Sequence, residues 1–167
     1  MKADALRELQ GPLKDRYRED PQAALLTLRA QGRIGGGITC SVETGKALVE
    51  AGLHPATGGN GLAACSGDML LQALAACAGV TLSAVATAIG VEIRDGTVHA
   101  EGDLDFRGTL GVSKEVPVGF QRIRLQFDLD TDASEEQLST LIRLTERYCV
   151  VLQTLRRRPE IEVSHRA

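Results

Sequence analysis

The longest apolar run lies between Asp68 and Gly90, in the stretch DMLLQALAACAGVTLSAVATAIG, whose residues are apolar on nearly every side of a helix. A helix of that kind is buried in protein or crosses a membrane. Its length would span a bilayer, yet it is built from Ala, Gly, Thr and Ser with Gln72 inside, so its transfer into lipid is far poorer than that of a Leu-rich span. Burial is expected and a membrane is not. At 1.5 Å per residue the helix is about 33 Å long, too long to be covered all round by one small domain. The pattern therefore predicts a homodimer in which a second copy covers what the first leaves open.

After this helix the period changes. Val98, Ala100, Leu104 and Phe106 alternate with Thr97, His99, Asp103 and Asp105, and Ile123, Leu125, Phe127 and Leu129 alternate with Arg122, Arg124, Gln126 and Asp128. Period two predicts two half-buried antiparallel strands. Ser134 with Gln137 three residues on has the form of a capping box, opening a helix through Leu138, Leu141, Ile142 and Leu144 to about Tyr148. A short helix from Val150 to Arg157 and a last strand from Glu160 to Ser164 complete the reading. Upstream, Leu6, Leu9, Leu13 and Tyr17 share a helix face that Gly11-Pro12 interrupts, which predicts two short helices. From Ala23 to about Val42 a looser alternation, broken at Gly35-Gly36-Gly37, predicts a hairpin, and LHPATGGNG from Leu53 to Gly61 predicts a loop. Segregated strands and helices make the class α+β. Residues 1–21 form a helical extension in this reading, and residues 22–167 form the domain.

Composition narrows the function. At 167 residues one domain is expected, and 43% hydrophobic with 25% charged residues fits a globular chain. Three Phe, two Tyr, no Trp and a net charge of -3 offer neither stacking surface nor attraction to phosphate, so nucleic acid is not an expected partner. The first segment is charged throughout and lacks the apolar core of a signal peptide, which predicts the cytoplasm. Thiols stay reduced there, so Cys40, Cys65, Cys77 and Cys149 read as buried or redox-active rather than as structural disulfides. No C-x-x-C occurs and His54, His99 and His165 are scattered, so neither a metal nor another cofactor is expected.

Cys77 falls in the middle of the apolar helix and Cys149 at the end of a later one, 149 − 77 = 72 residues on. Around them stand Ser66-Gly67-Asp68-Met69-Leu70-Leu71 with Ala73, Ala75, Ala76 and Cys77, then Glu146-Arg147-Tyr148-Cys149-Val150, and ahead of both Gly58-Gly59-Asn60-Gly61. In this order they resemble the OsmC/Ohr family of thiol-dependent hydroperoxide reductases, whose motifs are a Gly-Gly-x-Gly loop, P-x-E-L-L leading to A-A-x-x-x-C, and E-x-Y-C-P. Ser66 and Val150 stand where those motifs have Pro, and Asp68 where a Glu is usual.

The resemblance implies an OsmC-like fold, with antiparallel sheets packed around two central helices in an intertwined homodimer. It also implies reduction of an organic hydroperoxide by a Cys77 thiolate, a sulfenic acid, a Cys77–Cys149 disulfide and recycling by a dithiol reductant. Such chemistry needs a thiolate and a cation beside it. The family draws its arginine from the N-terminal hairpin, which points to Arg33, with Arg29 next, and its carboxylate partner corresponds to Asp68. A cysteine at the start of the helix from Val150 is expected to gain from that helix's dipole. The competing reading is a non-catalytic protein, either a stress protein or a binding module whose Ala-rich helix pair lines an apolar cleft for a small hydrophobic ligand.

Overall fold

The computed structural model describes residues 48–111 and 113–166 with their side chains, the backbone of 32–35 and 39–43, and residues 2–5, 8, 11 and 19. Residues 3–5, 8, 11 and 19 are helical, while Pro12, Arg29 and the expected domain boundary near residue 21 lie outside the described residues.

The expected hairpin is present as β1 (Gly32–Gly35) and β2 (Thr39–Glu43), which pair antiparallel with Arg33 opposite Ser41. β2 pairs antiparallel with β3 (Leu48–Gly52). The fourth strand corrects the expectation of wholly antiparallel sheets. β4 (Ala64–Cys65) runs parallel to β3, with Ala51 opposite Ala64 and Gly52 opposite Cys65. The intervening loop makes this return, turning through a 3-10 turn at Pro55–Thr57 that His54 caps by accepting from the Ala56 amide at 3.0 Å.

The glycines of this loop are a backbone requirement. Gly58 and Gly61 have φ of 91° and 74°, and a Cβ on Gly59 would stand 1.7 Å from the Leu53 carbonyl oxygen. Gly59→Ala should therefore force the loop open and release β4 from β3. A rise in protease cleavage between Leu53 and Leu62 would report it, and an unchanged digestion pattern would reject it.

β4 runs directly into α1 (Ser66–Ile89), which ends at Gly90 in the left-handed region. On α1, Leu74, Ala78, Leu82 and Ala86 recur every four residues and are the buried stripe. Against it packs α3 (Glu135–Tyr148), opened by the reciprocal Ser134–Gln137 capping box. The helices run antiparallel: Leu82 and Ala86 meet Leu141, while Leu74 and Ala78 meet Cys149. β5 (Asp95–Leu104) and β6 (Phe120–Asp130) pair antiparallel and lay Val98, Ala100, Ile123, Leu125 and Phe127 on the same core. Their polar positions face outward, where Arg124 binds Glu101 and Asp103.

Two predicted elements differ. Phe106 leaves the strand and opens the short α2 (Phe106–Thr109), because the Asp105 side chain accepts from the Arg107 amide and caps a helical turn there. The expected strand from Glu160 to Ser164 is irregular, with Ile161 and Val163 exposed. Alternation supplies a strand's side chains, but its amides need a neighbouring strand, and none of the described residues provides one.

α1 is left mostly uncovered: only 22% of its most apolar stretch is buried within one chain. Val80 is 73% exposed, and Leu70 and Ile89 are also open.

Candidate active site

The antiparallel packing of α1 on α3 brings together two cysteines that the sequence holds far apart. Cys77 lies one residue from the buried Ala78 and is half-buried; Cys149 caps the end of α3 and is fully buried, at 0% exposure. Both are free thiols, and they pack in the same cluster. The surrounding cluster of Leu74, Ala78, Val98, Ala100, Leu152 and Leu155 is apolar.

Burial alone would push both thiols up, because a thiolate loses solvation there. For Cys77 that effect is outweighed, and its pKa falls below the ordinary value. The amides of Val151 and Val150, the Cys149 thiol and the Thr81 hydroxyl lie around its sulfur, and their dipoles favour the thiolate. Thr81 stands one turn beyond Cys77 on the same row of α1, and its hydroxyl donates to the Cys77 carbonyl at 2.7 Å. For Cys149 burial wins. Its pKa rises, despite the Leu152 and Val151 amides, because the Cys77 sulfur beside it opposes a second negative charge.

The first amides of the short helix α4 (Val150–Arg156) act on both thiols. Cys149, at the start of that helix, gains from them as expected, but burial outweighs the gain. The same amides lower the thiol across the interface, Cys77. Val150 also explains why a departure from the family motif has chemical weight, since a proline there has no N–H to give.

Asp68 is not brought to the thiols. It is exposed in the first turn of α1, nine residues before Cys77. That spacing places it about 13 Å along the helix and about 180° around it. It borders a cavity of about 330 Å³ lined by Leu53, His54, Cys65, Leu104, Phe106 and Phe120. This cavity sits at the N-terminal end of α1 and includes neither Cys77 nor Cys149, so it is not the expected cleft between two Ala-rich helices. Arg33 is on β1, in the sheet that β4 joins to the same end of α1.

The sequence reading missed Thr81 and the amides of Val150 and Val151. A hydroxyl four residues after the cysteine was the available signal for Thr81; the amides carry none, because only the docking of α4 aims them.

The fold and the paired thiols define an α+β protein with a dithiol site between two packed helices. The chain belongs to the OsmC-like protein family, whose model matches residues 58–164 and so takes in both Cys77 and Cys149. Among curated proteins none matches it. Solved structures share the fold. An OsmC-like protein from Mycoplasma pneumoniae superposes with a TM-score of 0.67 at 16% identity, covering 80% of this chain and 89% of that one. An organic hydroperoxide resistance protein from Elizabethkingia anophelis gives 0.62 at 19% identity over 80% and 91%. Another, from Bacillus subtilis, gives 0.53 at 20% identity over 80% and 93%.

Proposed function

We propose that this chain is a cysteine-based peroxidase that reduces organic hydroperoxides, with Cys77 as the attacking thiolate and Cys149 as the resolving thiol. One observation carries the reading: the thiol that solvent reaches has its pKa lowered, while the thiol it touches is sealed from solvent and raised. Exposure and acidity thus divide the two roles in the same direction. The Cys77 thiolate attacks the outer oxygen of R–O–OH, the O–O bond breaks, and the alkoxide takes a proton and leaves as alcohol. The Cys77 sulfenic acid then condenses with the Cys149 thiol, forming the disulfide and releasing water. A dithiol reductant restores both thiols by exchange.

The apolar cluster around the thiols favours an alkyl tail over hydrogen peroxide, because each Å² of apolar surface it buries is worth roughly 25 cal/mol. Arg33, or Arg29, is the cation we assign to the site. Asp68 acts only through such an arginine, since its own position is remote from the sulfur. A second copy of the chain is the partner we assign to the open side of α1, and the cytoplasm is a compartment that would keep both cysteines reduced between turnovers.

The test is oxidation of the reduced protein with one equivalent of an alkyl hydroperoxide, followed by peptide mass spectrometry. A Cys77–Cys149 disulfide should form, faster than with one equivalent of hydrogen peroxide. Recovery of both cysteines as thiols, or a disulfide between other pairs, would sink the assignment. Sedimentation of the same sample should give a dimer, and a compact monomer would remove the second copy from the proposal.

A further inference from the structure

The break between α3 and α4 involves an exchange of hydrogen bonds. In a continuous helix the Val150 amide would donate to the Glu146 carbonyl, four residues back. At Cys149 the backbone turns extended, with φ -70° and ψ 106°, and the Val150 amide is left free of that carbonyl and among the groups that favour a Cys77 thiolate. The Glu146 carbonyl is then one of the orphaned acceptors that every helix end leaves. It does not stay orphaned. The side-chain amide of Gln153 reaches back seven residues and donates to it at 2.6 Å, while the Gln153 backbone amide donates to the Cys149 carbonyl at 2.9 Å. Gln153 is thus bonded to both sides of the break, and its side chain takes the place that the Val150 amide vacates.

We propose that Gln153 is a positioning residue for the reactive thiol, its side chain locking the bend at Cys149 so that the Val150 and Val151 amides stay aimed at the Cys77 sulfur. This rests on the reading of Cys77 as the attacking thiolate. Arg156 adds a second tie across the bend through the Glu146 carboxylate at 2.8 Å, but that pair is half exposed and bonds a side chain, leaving the carbonyl to Gln153. Among the described residues the groups that face Cys77 are few. Of these Cys149 is the titratable one, Thr81 comes from α1 itself, and β5 and β6 bring Val98, Ala100, Ile123, Leu125 and Phe127 to the cluster, all uncharged. Of the charged groups on α3 and α4 at the bend, Glu146 and Arg156 are bound to each other and Arg147 lies over the Tyr148 ring.

The experiment follows alkylation of Cys77 by iodoacetamide, resolved by peptide mass spectrometry, as a function of pH in the reduced full chain. Gln153→Met removes the donor and keeps the length. Val150→Pro removes the amide itself at a helix position that accepts proline, after a residue already in the extended conformation that proline requires. Both should move the midpoint of the rate profile upward and slow alkylation near neutral pH by about threefold or more, the effect of half a pKa unit. The double variant should go beyond Val150→Pro alone only by what the Val151 amide contributes, because Gln153 acts through these two amides. Gln153→Ala makes the same deletion with less bulk, and its midpoint decides where Gln153→Met does not fold. A Gln153 variant that is less stable to heat but titrates as the parent does would overturn the proposal, leaving Gln153 a helix cap only. A parent midpoint no lower than that of an ordinary cysteine is a different result: it would overturn the peroxidase reading, and the positioning role with it.

Discussion

Cys77→Ser should end peroxide consumption, lowering the steady-state rate on the order of 10³-fold or more, the scale of loss when a nucleophile is removed. A serine hydroxyl is not ionised near neutral pH, and the amides of Val150 and Val151 cannot make it so. Cys149→Ser should fail in another way. About one peroxide per site should be consumed in a burst, after which turnover stops with a sulfenic acid on Cys77 that further peroxide drives to the irreversible sulfinic form. Cys149 packs against Cys77 within the same cluster, so its thiol meets the sulfenic acid intramolecularly, at an effective concentration that an external thiol does not match. The two variants are compared by peroxide loss over time with a dithiol present, and by the mass of the Cys77 peptide. Full steady-state activity in Cys149→Ser would reject the internal resolving step, and activity in Cys77→Ser would reject the peroxidase altogether. Cys65→Ser and Cys40→Ser are controls expected within about twofold of the parent, since most substitutions away from a mechanism change little.

Leu141→Ala should cost about 2–5 kcal/mol of stability. Leu141 is at 0% exposure and meets Leu82, Ala86 and Val91 where α3 crosses α1. Truncating it opens a cavity that two packed helices can only partly close. The melting temperature should fall by about 5–15 °C, measured at one protein concentration because any dimer makes that temperature concentration-dependent. A loss under about 1 kcal/mol would show that this contact is not the centre of the core. The exposed Lys114→Ala should change stability by no more than about 0.5 kcal/mol.

Much of the fold was legible because its signals are local. The Ser134–Gln137 box, the stop at Gly90 and the alternation of β5 and β6 each depend on residues within a few positions of one another. The reading failed where one of those local signals met a longer-range demand. Phe106 alternates correctly but lies beyond the cap at Asp105, and Ile161 and Val163 alternate without a strand to pair with among the described residues.

The same division separates the parts of the candidate site. The sequence by itself determined that Cys77 lies within an apolar helix, that Cys149 ends a second helix, and that α1 is too apolar for one chain to cover. Only the tertiary structure decided which thiol is acidified. That depends on the antiparallel docking of α3 and α4 on α1, which buries Cys149 completely and turns the amides of Val150 and Val151 onto Cys77. It likewise decided that Asp68, placed at a suggestive interval from Cys77, stands on the other side of the helix. A spacing in sequence gives an angle around one helix, whereas the pKa of a thiol depends on every dipole and every Å of burial that other elements bring to it, and those are set only when the chain packs.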